Sequence, residues 1–440
     1  MGEALPVEQV RLGRGAADDG YAGRQALMPV AGEANRAAER VARESYGRLL
    51  AFLTARTRDV AEAEDALGEA FAAALHRWPI DGVPENPQAW LLTAARRRQT
   101  DVVRKRQTRD AGEAHLQLVG DELEALGDTP NEVPDRRLAL MFACAHPAIE
   151  RSVRTPLILQ TILGLTAEDM ASTFLLPPKT MGQRLSRAKL RIRDAGIPFS
   201  EPDHAELPER LAAVLDAIYA AYTKGWNEVG EDGLPELADE AIWLARLVVS
   251  LLPDEPEAKG MLALLLYTAA RRAARRDVAG AYVPLEQQDT NLWDVASLAL
   301  AENLLRRANV GGPSGRYQIE AAIQSAHVAR RFTGVSNWPA VVALYDHLLA
   351  LTGSPVVILN RAVARAEVHG PRAALADLAP LENDKRMQSY QPYWAAKGHL
   401  LACAEETAGA VEALSIAIGL TTDDAMKGYL LSRLALLPST

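Results

Sequence analysis

Alternating runs of β-branched residues are nearly absent from this sequence, whereas alanine- and leucine-rich stretches with helical spacing extend through most of it. Alternation is typical of strands and a period of about 3.6 residues is typical of helices, so the pattern predicts an all-α protein. A chain of 440 residues has room for roughly two to four domains with sizeable cores.

Positive charge is concentrated in two helical segments of an otherwise acidic chain. Residues 88–109 hold seven basic residues and one acid, and residues 179–193 hold six basic residues and no acid. Each segment therefore carries +6, although the whole chain carries −9 and the remainder −21. Charge segregated in this way is typical of a surface for a polyanion, of which nucleic acid is the obvious one. Two solvated helix faces that bind nothing are the alternative interpretation.

Composition argues against several other classes of protein. Cys144 and Cys403 are far apart in apolar surroundings, which favours buried thiols in a reducing compartment over a disulfide framework. The eight histidines are scattered without a CxxC or HExxH pattern, so we expect no metal and no cofactor. No apolar run reaches the roughly 18 residues that span a bilayer, and the N-terminus lacks the apolar core of a signal peptide. A soluble, cytoplasmic protein is expected.

The periodicity divides the chain into five parts. Residues 1–33 lack clear periodicity and are predicted to be a loose N-terminal extension. Two small helical domains are expected at residues 34–110 and 135–197, joined by a flexible linker at 111–134 that is rich in glycine, proline and acids. Residues 205–440 form a large, alanine-rich and acidic helical domain.

This C-terminal domain shows weak internal repetition. A segment that closes at Pro253 resembles the second helix of a tetratricopeptide unit, and the next helix is expected to start near Glu257. A Gly-x-x-x-Ala-Leu pattern recurs at Gly370 and Gly409, at the expected junctions of paired helices. The pattern predicts a degenerate, tetratricopeptide-like array of helical hairpins, with an irregular helical domain as the alternative.

A helix-turn-helix is predicted between Thr155 and Arg193. Thr166 and Asp169 fit a capping box that opens a short helix over residues 167–174. Pro178 then starts the next helix, because proline is tolerated only in a first turn. Residues at helical spacing form a buried stripe along that helix. These are Met181, Leu185, Ala188 and Ile192.

The opposite face of the second helix presents donor-rich side chains, which suit phosphates and the base edges of the major groove. A helical hairpin with a basic surface is the alternative interpretation. The residues of this face are Lys179, Thr180, Gln183, Arg184 and Arg187.

An amphipathic helix over residues 58–78 precedes the first basic segment. Its apolar face is expected to hold Val60, Ala63, Leu67, Phe71 and Leu75, and its other face Glu62, Asp65 and Glu69. A proline- and glycine-rich loop over residues 78–87 leads to the basic helix, which opens with Trp90. Cations and an aromatic side chain suit an unpaired strand, although core packing of Trp90 is the favoured interpretation.

In this order and spacing, the segments resemble the extracytoplasmic-function sigma factors of bacteria. The resemblance rests on Asp-Ala-Leu-Gly-Glu-Ala-Phe at 65–71, Pro-Gln-Ala-Trp-Leu-Leu-Thr-Ala-Ala-Arg-Arg-Arg at 87–98 and Arg-Leu-Ser-Arg-Ala-Lys-Leu-Arg-Ile-Arg at 184–193. It covers roughly residues 35–197. The remainder is similar to the C-terminal extension of a subgroup with tetratricopeptide-like repeats, on motifs at 218–228, 315–323 and 354–363.

The resemblance implies that the protein binds core RNA polymerase and promoter DNA, directs transcription initiation and is not an enzyme, so no catalytic residue is expected. Gly68 stands where that family usually has glutamine. The residues implied to dock on the clamp helices of the largest polymerase subunit are Asp65, Leu67, Glu69 and Phe71. Those implied to bind the −10 element are Arg77, Trp78, Asn86, Trp90, Arg96, Arg97, Arg98, Arg104, Lys105 and Arg106. Those implied to bind the −35 element are Lys179, Thr180, Gln183, Arg184, Arg187 and Lys189.

We expect the C-terminal domain to be regulatory. Its acidity suits intramolecular docking on the basic helices, and a cluster over residues 222–228 (Tyr222, Trp226, Asn227 and Glu228) is a candidate contact, with packing inside the repeat as the alternative. Two other functions stay open. One is a helix-turn-helix regulator that binds duplex operators without polymerase. The other is an enzyme in the C-terminal domain, although the sequence has no phosphate loop and no nucleophile elbow.

Overall fold

The computed structural model describes residues 21–107, 135–171, 174, 176–200, 202, 205–227, 235–309 and 312–438. Regular structure within these residues is helical, as predicted, apart from an isolated antiparallel bridge between Arg276 and Tyr282. Among the described helices, none combines the length and the apolar character needed to cross a membrane. The chain divides into two compact units, residues 1–217 and 218–440.

The helices of the first unit are α1 (Tyr21–Thr57), α2 (Val60–Asp81), α3 (Pro87–Gln107), α4 (Arg137–Cys144), α5 (Arg151–Leu163), α6 (Ala167–Ala171), α7 (Pro178–Asp194) and the beginning of α8 (Leu207–Asn227), which continues into the second unit. They form two groups that pack against each other. α1–α3 pack together, α4–α7 pack together, and contacts of α1 with α4 and α5, and of α2 with α7, join the groups.

Two boundaries differ from the sequence prediction. α1 begins at Tyr21, so part of the predicted loose extension is helical. α2 continues through Pro79 to Asp81, so the loop expected from residue 78 begins only at Gly82, whose φ of 86° suits glycine. The predicted linker at 111–134 lies outside the described residues.

A close backbone approach holds the two groups of the first unit together. Gly47 of α1 lies against α5, where an added Cβ would come within 2.0 Å of the Ile162 carbonyl oxygen. Any side chain at this position would clash with backbone, so the glycine permits the approach of α1 to α5. The two predicted N-terminal domains are therefore packed face to face in this structure.

The second unit is a succession of helices in which most contacts join helices one or two places apart along the chain. The helix over Pro235–Leu251 is followed by one that begins at Pro256, which confirms the predicted break at Pro253. Gly370 lies at the junction of the helices over Pro355–His369 and Pro371–Leu378, as expected, whereas Gly409 lies inside the helix over Thr407–Leu420. Short 3₁₀ segments occur at 272–274, 285–287, 290–292 and 379–381.

The helices of the second unit, after α8, are α9 (Pro235–Leu251), α10 (Pro256–Ala269), α11 (Val295–Ala308), α12 (Arg316–Val328), α13 (Arg330–Thr333), α14 (Trp338–Thr352), α15 (Pro355–His369), α16 (Pro371–Leu378), α17 (Lys385–Gln388), α18 (Gln391–Cys403), α19 (Thr407–Leu420) and α20 (Asp424–Ala435).

Candidate nucleic-acid interface

The start of α6 is fixed by the predicted capping box. The backbone N–H of Thr166 donates to Asp169 Oδ2 at 2.8 Å, and the backbone N–H of Asp169 donates to Thr166 Oγ1 at 3.2 Å. Two helix N–H groups that have no partner inside a helix are thereby satisfied. The next helix, α7, begins at Pro178 as predicted.

α7 separates an apolar face from a donor-rich face. The predicted stripe of Met181, Leu185, Ala188 and Ile192 is buried, which confirms the periodicity of the helix. On the other side Lys179, Gln183 and Arg187 are exposed, while Thr180 and Arg184 are half-buried. Because the helix has no acid before Asp194, this face is a row of donors suited to a polyanion.

A cavity of about 450 Å³ adjoins the donor-rich face. Arg184, Arg187 and Arg191 line it from α7, and Glu150 and Val153 line it from the start of α5. Three guanidinium groups face a single carboxylate here, so the local charge is positive. The cavity extends the basic surface of α7 toward α5.

Lys189 differs from the other basic residues of α7 because its side chain is buried. Its ammonium pairs with the Glu64 carboxylate of α2, and both side chains are shielded from solvent. Burial raises the pKa of Glu64, although the ammonium of Lys189 opposes that shift. Arg193 adds a weaker contact, with its Nη1 3.7 Å from Asp59 Oδ2. The contact between α2 and α7 is thus partly ionic.

The acidic side of α2 presents residues implied to bind polymerase. Asp65 and Glu69 are exposed and Phe71 is half-buried. Leu67 is fully buried in the core, which leaves it no surface for a partner in this conformation. Leu75, predicted to be buried, is 47% exposed, because α2 packs on its neighbours through small residues such as Ala70 and Ala74.

An ion pair links α2 to the basic helix α3. Arg98 Nη2 donates to Glu69 Oε1 at 2.8 Å, and both side chains are about half exposed. Glu69 was implied to bind polymerase and Arg98 to bind DNA, so the two proposed surfaces meet at this pair. This contact could not be predicted from the sequence, because nothing in the spacing of two separate helices indicates which side chains pair.

The aromatic residues near the start of α3 pack on each other. Trp78 is fully buried, and its ring meets that of Trp90 edge to face with centroids 5.7 Å apart. This contact is the core packing that the sequence favoured for Trp90, whose side chain is half-buried. Asn86 caps α3, because its Oδ1 accepts from the Ala89 backbone N–H at 3.0 Å.

The cations of α3 differ in their exposure. Arg97 is exposed, as is Arg77 of α2, whereas Arg96 lies over the Phe52 ring with its guanidinium 5.0 Å from the centroid. Burial and the nearby Arg56 lower the pKa of Arg96. Arg104, Lys105 and Arg106 belong to α3, but their side chains lie outside the described residues.

The two cysteines of the chain differ in their exposure. Cys144 is buried beside Thr161, as expected, but Cys403 is exposed, which corrects the prediction that both thiols are buried. Within the described ranges, no group of three or more His, Cys, Asp or Glu side chains is arranged to hold a metal ion.

Comparison with known proteins identifies two families along the chain. Residues 41–109, which include the C-terminal part of α1 together with α2 and α3, match the family described as Sigma-70 region 2. Residues 210–309 match a family of unknown function, DUF6596. No solved structure matches the chain.

Two relatives extend these matches. An uncharacterized protein of Rhizobium meliloti (strain 1021) is 37% identical over 411 residues, which cover 90% of this chain and 95% of that protein. A protein of Xanthomonas campestris pv. campestris, described as a probable RNA polymerase sigma factor RfaY, is 28% identical over 163 residues, which cover 34% of this chain and 40% of that protein. Along nearly its whole length the chain therefore belongs to one family with the Rhizobium meliloti protein, and its residues 41–109 are similar to Sigma-70 region 2.

Proposed function

We propose that this protein is an alternative sigma factor of the extracytoplasmic-function type, which binds core RNA polymerase and directs initiation at promoters with −10 and −35 elements. The observation that carries the proposal is the match of residues 41–109 to Sigma-70 region 2. Within this range, α2 bears the exposed acids Asp65 and Glu69, and Arg77 and Arg97 are exposed cations. In this function the polymerase performs the chemistry and the present chain supplies promoter choice.

The polymerase contact in this proposal is made by the exposed side of α2. Asp65 and Glu69 offer carboxylates to a basic partner, and the half-buried Phe71 offers an apolar edge. Leu67 supports this surface from the core. A helix that is acidic on its exposed face and anchored by apolar residues on the other suits the clamp helices of the largest polymerase subunit.

The −10 contact is assigned to the loop between α2 and α3 and to α3 itself. Arg77, Asn86 and Arg97 are exposed, and Trp90 is reachable from solvent while it packs on Trp78. Cations near an accessible ring suit a partly melted strand, because the backbone needs positive charge and unpaired bases need a face to stack on. Arg104, Lys105 and Arg106 are proposed to extend this surface.

The −35 contact is assigned to α7 as the recognition helix of a helix-turn-helix formed with α6. Its exposed cations and amide suit a major groove, where arginine recognises guanine and glutamine recognises adenine. Lys189 is proposed to contribute only after its ion pair with Glu64 opens. The proposed domains are region 2 at residues 34–110, a linker at 111–134 and region 4 at 135–197.

We propose that the helical domain at residues 205–440 is tetratricopeptide-like. This domain is proposed to modulate the activity of the other two domains. Its net negative charge is the property that supports docking on basic helices. Within the second unit, Tyr222 and Trp226 stack on each other, with centroids 5.6 Å apart. A chain that lacks residues 206–440 should differ from the full chain in promoter-dependent transcription.

Run-off transcription tests the proposal. Purified core polymerase is combined with the full chain on a library of upstream fragments, and new transcripts are mapped. Discrete transcripts that share −35 and −10 elements are expected. A double variant, Arg184→Gln with Arg187→Gln, should lose them, while the matched surface variant Arg246→Gln should not. Duplex binding without association with core polymerase would instead favour an operator-binding regulator.

A further inference from the structure

A cavity of about 680 Å³ lies inside the second unit, among helices that are distant in sequence. α8, α10, α12, α14 and α15 contribute to its wall, and Tyr390, the residue before α18, completes it. Pockets for small molecules have volumes of roughly 300–1,000 Å³, so its size suits a small organic ligand and not a folded partner.

Much of the cavity wall is aromatic. Tyr219, Tyr222 and Trp226 line it from α8, and Tyr345 lines it from α14. The rings of Tyr222 and Trp226 lie nearly parallel at 20°, and the guanidinium of Arg275 sits 4.3 Å from the Trp226 centroid. Flat, polarisable walls of this kind favour a ligand with a planar apolar body.

The charged residues of the wall leave one net positive charge. Arg316 donates from Nε to Glu320 Oε1 at 2.7 Å, so these two charges largely compensate each other. Arg271 has no carboxylate partner there, and its Nη2 donates to the neutral Gln324 Oε1 at 2.6 Å. Burial lowers the pKa of Arg271 to about 10, which is still high enough for the group to be charged at neutral pH.

Two buried donors of the wall have no acceptor. Arg271 Nε and the Tyr222 hydroxyl are both inaccessible to solvent and make no hydrogen bond to any residue that the structure describes. The Tyr222 side chain is only 3% exposed, so water outside the cavity does not satisfy it. A buried donor without an acceptor costs about 1–3 kcal/mol, which indicates that an acceptor belongs at this position.

We propose that this cavity binds a small planar molecule that carries a single carboxylate, with the carboxylate held by Arg271 and Tyr222 and the planar body held between the aromatic side chains. Both donor atoms are closed to solvent, so the two side chains must turn toward the cavity before the carboxylate accepts from Arg271 Nε–H and from the Tyr222 hydroxyl. One net positive charge matches a monoanion better than an oligophosphate. The inference rests on the second unit alone and does not depend on a role in transcription.

Calorimetric titration of the full chain tests the inference. The probes are benzoate, phenylacetate and indole-3-acetate, with indole-3-acetamide as the uncharged analogue and adenosine 5′-monophosphate as a dianion. At least one carboxylate should bind with a Kd below 1 mM and at least tenfold more tightly than the amide. Failure of all three carboxylates to bind, equal binding of acid and amide, or preference for the nucleotide would each overturn the inference.

Variants locate the site. Tyr222→Phe keeps the stacked ring but removes the hydroxyl, and Arg271→Lys keeps the charge but removes Nε–H. Each should weaken carboxylate binding by about tenfold, which corresponds to roughly 1.4 kcal/mol. Arg372→Gln, an exposed change on α16, should leave the Kd unchanged. Circular dichroism verifies that each variant is folded. Unchanged affinity in a folded Tyr222→Phe and a folded Arg271→Lys would refute the assignment.

Discussion

The Lys189 ammonium of α7 and the Glu64 carboxylate of α2 form an ion pair between side chains that are 9% and 18% exposed. The pair joins a helix proposed to read DNA to a helix proposed to bind polymerase. Glu64→Ala should therefore leave a buried ammonium without its partner, and should reduce the local stability of α2 and α7 by about 3 kcal/mol. Hydrogen exchange of peptides from these helices measures the loss.

The double variant Glu64→Leu with Lys189→Met is the control for this prediction. It removes both charges and fills the space with apolar side chains. The hydrogen-exchange protection of α2 and α7 should therefore return most of the way to its wild-type value. Equal protection of wild type and Glu64→Ala would show that the pair contributes nothing in solution.

Gly68 gives a second prediction, because it lies on the exposed side of α2 with no atom within 4 Å of an added Cβ. Gly68→Ala should stabilise the helix by about 0.5–1 kcal/mol, because alanine has the higher helix propensity. Gly82→Ala is the matched control at the end of the same helix. Its φ of 86° makes that change destabilising. In urea unfolding, the midpoint of Gly68→Ala should lie above that of the wild type and the midpoint of Gly82→Ala should lie below it.

Gly47 tests the contact between α1 and α5. Gly47→Ala places a methyl group where the Ile162 carbonyl oxygen lies, so α1 and α5 must move apart. Small-angle scattering should give a larger radius of gyration for this variant than for Gly68→Ala, whose methyl group meets open space. Indistinguishable scattering from the two variants would mean that the first unit absorbs the methyl group without opening.

The donor-rich face of α7 predicts a specific dependence of DNA binding on salt. Each phosphate contact adds about 0.9 to the slope of log K against log salt concentration for duplex DNA. Arg184→Gln and Arg187→Gln should each reduce that slope by about 1, provided that both side chains contact phosphates. Fluorescence anisotropy at several salt concentrations measures the slope. Arg246→Gln, an exposed change on α9, should keep the wild-type slope.

His327 predicts how the stability of the second unit depends on pH. Burial, with Arg271 and Arg330 nearby, lowers the pKa of His327 to about 4. The folded state therefore binds fewer protons than the unfolded state between pH 4 and 6.5. The stability that depends on neutral His327 is therefore fully present above pH 6.5. As the pH falls toward 4, the free energy of unfolding decreases by about 3 kcal/mol.

Urea midpoints of wild type and His327→Gln between pH 4 and 7 test this dependence. The difference between the two proteins should shrink as pH falls. His347→Gln, which changes an exposed histidine on α14, should follow the wild-type curve. If the urea midpoint of wild type falls no more steeply with decreasing pH than that of His327→Gln, the lowered pKa of His327 is contradicted.

Features that depend on neighbours in sequence could be predicted. The capping box at Thr166, the start of α7 at Pro178 and the buried stripe of α7 follow from local hydrogen bonding and from the helical period, and the structure has all three. The all-α class follows in the same way, because periodicity is summed over long stretches.

Features that depend on packing between distant segments could not be predicted. Lys189 shares the sequence pattern of its basic neighbours, but its burial depends on Glu64, which lies 125 residues earlier. Leu75 fits the apolar stripe of α2 but is exposed, because the helix packs through alanines. The cavity of the second unit combines Tyr222 with Arg271, two residues that no spacing rule brings together.

The face-to-face packing of α1 on α5 and of α2 on α7 limits how far apart the two proposed DNA-binding surfaces can lie. A compact body of about 200 residues has a radius of gyration near 16 Å. Promoter elements about 25 base pairs apart are separated by roughly 85 Å of duplex. Fully extended, residues 108–134 span at most roughly 95 Å, enough to bridge that separation once the packing opens. In the proposed function, the free chain would therefore hold two promoter elements only after the Gly47 and Lys189 contacts are broken, and its affinity would be reduced by the fraction of molecules still closed.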